Sequence, residues 1–118
     1  MQIKRAVPVF RIFDDKKARE FYVDWLGFKV DWEHRFGDNF PLYMQVSRGE
    51  LILHLSEHHG DCCPGSKVLV TVEGAQKFHD ELAAKDYRYN KPGFNESENG
   101  FTVIDPFHNQ IAFEEEKI

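Results

Sequence analysis

Cysteine is scarce in this chain: there are two, Cys62 and Cys63, side by side. Adjacent cysteines cannot staple distant segments, so a secreted disulfide framework is excluded and a reducing, cytoplasmic setting is expected. Long apolar runs are missing too. No stretch reaches the roughly 18 to 20 consecutive apolar residues of a membrane span, and the opening MQIKRAVPVF lacks the apolar core of a secretory signal. Positive charge is in deficit, with 15 Lys and Arg against 20 Asp and Glu, a formal net charge of -5 and a pI of about 5.6. A nucleic-acid binder needs a clustered basic face, so nucleic acid is not an expected partner. The acidic balance mildly favours a cationic ligand, although part of it lies in the run Glu114, Glu115, Glu116, which reads as solvated. No Ser-His-Asp pattern, phosphate-cradling glycine loop or dinucleotide fingerprint is present.

What is there suits one compact domain: 118 residues, 42% hydrophobic and 14% aromatic, enough to bury a core. Val7 to Phe13 is a β-prone run closed by Asp14-Asp15, either of which can cap a helix over Lys16 to Leu26, where Ala18, Phe21, Tyr22 and Trp25 recur at helical spacing. Gly27 ends that helix, and a strand runs from Phe28 to about Phe36. After the turn Gly37-Asp38-Asn39, the runs Leu42 to Ser47 and Glu50 to Ser56 flank Arg48-Gly49 as a hairpin. The order is βαβββ.

Beyond the loop His58 to Ser66 the order repeats. Lys67 to Val72 alternates as a strand, Ala75, Phe78 and Leu82 mark a helix, Tyr87-Arg88-Tyr89 stands where Phe28 stood, and Phe101 to Ile104 and Gln110 to Glu114 form a final hairpin. The modules are thus about 1–60 and 64–118. Strand alternation puts Leu51, Leu53 and Leu55 on a core face with Ile52, His54 and Ser56 opposite, a mixed row suited to a groove; likewise Val68, Val70 and Val72 face the core. Phe10, Phe21, Phe28, Phe78 and Phe113 are also expected there.

The opening AVPVFRIFDDKKAREFYVDWLGFKVDW resembles the first module of bleomycin-resistance and glyoxalase-type proteins, the vicinal-oxygen-chelate superfamily. The closing VIDPFHNQIAF resembles the superfamily's last hairpin, Asp-Pro-x-Gly-Asn before an apolar strand, and with CPGS before the second module the resemblance spans essentially the whole chain. It implies an α+β fold of two βαβββ modules, a curved, mixed eight-stranded sheet around a groove, helices outside, and a homodimer sharing two grooves. Metal-dependent members carry four ligands on the groove face, at positions that align with Val7, His54, Lys67 and Ala112. Only His54 can ligate, so no metal and no other cofactor is expected.

Bleomycin-resistance proteins also lack the metal set and sequester a cationic drug by stacking its flat rings on groove aromatics. Trp32 falls where they carry a stacking aromatic after LGF, Phe36 lies near a second, and Ser56 matches a groove serine. Two departures stand out: NESENG replaces an aromatic Trp-Gly lead-in to the last hairpin, and His108 replaces the hairpin glycine. Histidine visits left-handed backbone more readily than bulky residues, so the second is tolerable.

Two clusters compete for attention as sites. His54, Glu57, His58, His59, Asp61, Cys62 and Cys63 include every common transition-metal ligand type, but their spacing matches no zinc pattern. The cluster reads either as a polar loop joining two modules or as a loop lining the groove, with His58 nearest the ligand. Trp32, Phe36, Phe40 and Tyr43, with His34 and Arg35 between them, form a π-rich surface with hydrogen-bond donors; singly, each aromatic would equally suit the core. The expected ligand residues are Trp32, His34, Phe36, Phe40, Tyr43, His54, Ser56 and His58, with no catalytic residue. The function so implied is sequestration of a bleomycin-class antibiotic at a dimer interface. The alternative is a lyase, isomerase or thiol transferase of glyoxalase type using His54 and a carboxylate.

Overall fold

A computed structural model describes residues 1–117. The first module runs β1 (Val9–Arg11), α1 (Asp15–Arg19), β2 (Lys29–His34), β3 (Tyr43–Arg48) and β4 (Leu51–Ser56). The second runs β5 (Lys67–Val72), α2 (Ala75–Ala83), β6 (Gly100–Ile104) and β7 (Gln110–Glu115). Each builds its own sheet, ordered β1-β4-β3-β2 and β5-β7-β6. The β1–β4 and β5–β7 pairs are parallel, and the β3–β4 and β6–β7 pairs are antiparallel hairpins, so the expected repeat is present as topology.

Asp14 caps α1, its carboxylate accepting from the Lys17 N–H at 2.9 Å. The helix expected over Lys16 to Leu26 is not all α: Glu20–Trp25 widens into a π-helical run, in which Leu26 N–H reaches Phe21 O at 2.9 Å. The broader turn accompanies full burial of Phe21, Tyr22 and Trp25 on one side. Gly27 follows at φ +82°, the left-handed stop its position called for.

The expected eighth strand is missing: the described residues form seven strands. Tyr87-Arg88-Tyr89 does not pair as β2 does. Lys91-Pro92-Gly93 follows directly, and proline can donate nothing to a ladder. The Tyr87 ring instead stacks on Trp25, with centroids 4.9 Å apart. The terminal acidic run is not simply solvated either. The Glu115 carboxylate accepts from Gly74 N–H at 3.0 Å and Ala75 N–H at 2.9 Å, capping α2, whose own N-cap Gly74 has no side chain to do so.

The core gathers Phe10, Phe21, Phe28, Leu53, Leu55 and Phe113, with Phe78, Val68, Val70 and Val72 partly buried against it. Polar contacts fasten one module to the other. Trp25 Nε1 donates to Leu82 O at 3.2 Å, and Asn109 Nδ2 donates to Arg11 O at 2.8 Å. His108 adopts φ +73°, so the hairpin keeps its left-handed residue without glycine.

Candidate functional site

Three strands set the site. Trp32 on β2 pairs with Gln45 on β3, which pairs with His54 on β4, so one row of side chains crosses the sheet. Strict alternation from Phe28 and Val30, which face the core, would turn Trp32 inward as well. A β-bulge between Val30 and Trp32 prevents this by slipping the register at Asp31. Asp31 and Trp32 are both exposed, and Trp32, 44% accessible, stands over the row instead of in the core.

The Trp32 ring lies nearly parallel to Tyr43, with centroids 5.9 Å apart and 10° between planes. His54 meets both edge-on, at 5.3 Å from Trp32 and 5.2 Å from Tyr43. A hydrogen-bonded chain ties these groups together. Gln45 Nε2 donates to Asp31 Oδ2 at 3.0 Å, His54 Nε2 lies 2.9 Å from Gln45 Oε1, and His54 Nδ1 lies 2.7 Å from Tyr43 Oη. Partial burial holds the His54 pKa below its usual value and pushes the Tyr43 phenol up, with Asp61 and Cys62 adding to the latter. Both groups are therefore neutral near pH 7.

Of the other expected residues, His58 stands 6.3 Å from Tyr43 and 6.2 Å from Phe36, ring to ring, and Phe36 meets His34 at 4.7 Å. These four rings, with Trp32 and His54, make a continuous aromatic surface. Phe40 is set apart from it, beside Arg11, Phe13 and Arg35 around a separate open cavity of about 430 Å³. Ser56 is fully buried: its Oγ donates to Asp61 Oδ2 at 2.6 Å and accepts from His58 N–H at 3.0 Å. It shapes the loop that carries His58. Sequence reasoning missed Asp31 and Gln45, for neither residue type is distinctive until the bulge and the cross-strand pairing place them beside His54.

The metal-type cluster resolves into structural contacts. Glu57 accepts from Leu42 N–H at 2.9 Å and Asp61 takes the Ser56 hydroxyl. Among the described residues no three His, Cys, Asp or Glu side chains come together to hold an ion. The aligned superfamily positions do not fit a divalent metal either. Val7 and Ala112 offer no donor atom, Lys67 is a cation on an exposed strand end, and both His54 nitrogens are already engaged. A cavity of about 870 Å³ opens elsewhere, between Ala6–Pro8 and β5, lined by Phe28, Leu51, Val68, Val70 and Phe113. Its floor is apolar, with Arg48, Glu50, Thr71 and Glu73 also on its lining, and none of the expected ligand residues belongs to it.

Comparison with known proteins agrees with this architecture. No curated protein matches the sequence. Among solved structures, the bleomycin-binding protein of bleomycin-producing Streptomyces verticillus, complexed with copper(II)-bleomycin, is 28% identical with a TM-score of 0.69 over 99% of both chains. TnmS3, an antibiotic binding protein from Streptomyces sp. CB03234, shares the fold at 21% identity and TM-score 0.72, over 99% of this chain and 100% of that one. The bleomycin resistance determinant encoded on the transposon Tn5 does so at 17% and 0.69, over 98% and 100%. The family model described as glyoxalase superfamily protein matches residues 1–118 in full, and the chain belongs to that family.

Proposed function

We propose that this protein binds a small molecule and does not transform it, holding a flat, donor-rich ligand of the bleomycin class against Trp32 and Tyr43. The observation that carries this reading is the bulge at Asp31, which exposes a tryptophan parallel to a tyrosine where plain alternation would bury it. Large aromatics are costly to leave in water, and an exposed stacked pair beside hydrogen-bonding groups is the make-up of a pocket for a planar polar ligand. The bleomycin-binding relatives support the ligand class. So does the net charge of -5, which attracts a cation.

A single chain leaves the aromatic surface open on one side. A symmetric second copy would close it, so the working form is a homodimer acting as one two-module domain per subunit. The free thiols of Cys62 and Cys63 suit a reducing compartment, which supports a cytoplasmic setting. The test is calorimetric titration with copper-free bleomycin, with tryptophan fluorescence followed in parallel. Saturable binding near one ligand per subunit, weakened roughly tenfold or more in Trp32→Ala, is expected for a stacking anchor. Absence of binding, or full affinity in Trp32→Ala, overturns the reading.

A further inference from the structure

We infer that Asp31, Gln45, His54 and Tyr43 form a directed hydrogen-bond relay that presents the Tyr43 oxygen as an obligate acceptor, so the site selects a planar ligand carrying an N–H donor at its ring edge. The inference rests on the small-molecule reading above and adds the chemistry of what is selected.

The direction of each link follows from what each group can do. A carboxylate only accepts, so the contact of Gln45 Nε2 with Asp31 Oδ2 fixes which end of the amide faces which way. Gln45 Oε1 then faces His54 and can only accept, so His54 Nε2 must carry the proton. A neutral imidazole protonated at Nε2 has a bare lone pair at Nδ1. The contact of 2.7 Å to Tyr43 Oη must therefore be the phenol donating inward. That uses the only hydrogen on Tyr43. Among the described residues nothing donates to its oxygen, which keeps its lone pairs for a ligand. The three links all point toward Asp31, so each polarises the next and the phenolic oxygen becomes a better acceptor than that of an isolated tyrosine.

The bulge connects this relay to the stacking surface. By slipping the register at Asp31 it turns the relay's carboxylate and the Trp32 ring to one face of the sheet, so the acceptor and the stacking surface belong to one site. A ligand offering an acceptor there, such as a ring oxygen, would face lone pair against lone pair.

Two measurements test the inference, with indole and benzofuran as probes: both are flat and of the same shape, and only indole carries an N–H. Nitrogen NMR of ligand-free protein is expected to show His54 protonated at Nε2, with both tautomers populated in Gln45→Met. Binding of the two rings, followed by Trp32 side-chain shifts, is expected to favour indole roughly two- to tenfold, the worth of one hydrogen bond. The preference should vanish in Tyr43→Phe and shrink in Gln45→Met, which serves alone if Tyr43→Phe does not fold. A His54 protonated at Nδ1 overturns the relay. Equal binding of the rings, or a preference that survives Tyr43→Phe, overturns the selection. Failure of both rings and of bleomycin to perturb Trp32 overturns the proposed function and the selection with it, while the tautomer still reads the relay separately.

Discussion

Tyr22, on the π-helical run of the first module, donates a 2.7 Å hydrogen bond to Asp105 at the β6–β7 turn of the second. Both are buried, and the carboxylate also accepts from Phe107 N–H, Asn109 N–H and Asn109 Nδ2. Burial nonetheless pushes the Asp105 pKa above 3.8 against those bonds, which pull it down.

Tyr22→Phe removes one donor from a buried carboxylate and should cost about 1.5–3 kcal/mol of stability near neutrality. The pH dependence has a definite sign. Unfolded, Asp105 titrates near 3.8; folded, it holds its proton to higher pH, so its contribution is full below 3.8 and is lost as pH rises through the folded pKa. Losing the Tyr22 donor raises that folded pKa further, so the deficit of Tyr22→Phe should shrink in acid. Urea midpoints of both proteins at about pH 7 and about pH 3 check this. Equal deficits would place the effect in packing and not in the carboxylate's charge.

Glu115 reaches across from β7 to cap α2, the task an N-cap side chain would perform if Gly74, at φ +90°, carried one. Glu115→Ala should lower stability by about 1 kcal/mol. The neighbouring Glu114→Ala, which removes a carboxylate of like charge without touching the cap, is the control. Thermal melts that fail to separate the two variants would contradict the capping role.

Much of the fold was legible because its signals are local. Asp14 before the first helix and Gly27 after it occupy the backbone that their residue type favours, and His108 in the last hairpin occupies one that histidine tolerates. What escaped depends on partners distant in sequence. The bulge at Asp31 is set by pairing with β3, so alternation alone assigns Trp32 to the core; its grouping with other aromatics and the likeness to bleomycin-resistance proteins put it in a groove. Tyr87 carries strand propensity, yet its ring finds a better partner in Trp25, 62 residues earlier (87 − 25), than a ladder could offer beside Pro92. Glu115 reads as one of three solvated glutamates until α2 is folded against β7.

Gly100 opens β6 opposite Glu114, and a Cβ built there would lie 2.2 Å from the Phe113 carbonyl oxygen. The obstacle is backbone, not a movable side chain. Gly100→Ala should therefore force the β6–β7 hairpin apart and cost on the order of 3 kcal/mol. The open position Gly93→Ala, where nothing lies within 4 Å of the added carbon, should be close to neutral. Urea denaturation of both variants, with similar losses, would refute the steric account.

His54 offers the last prediction, because its protonation reverses the relay's outermost link, the one to Tyr43. Its pKa is held below 6.5 by partial burial, so its contribution to stability is present above 6.5 and is lost as pH falls through the folded pKa. Asp31, Asp61, His58 and Cys62 are the titratable groups around the His54–Tyr43 pair. Asp31 is held below its usual range chiefly by its bond from Gln45, so it stays ionised while His54 titrates. Once Nδ1 carries a proton it donates to Tyr43 Oη, and the phenol hydrogen turns outward. An N–H ligand then meets a donor where it met an acceptor. Its affinity should fall as pH drops through the His54 transition read by NMR, and in His54→Gln that dependence should disappear. If the affinity of indole were constant across that transition, His54 would be supporting the Trp32–Tyr43 stack only by packing.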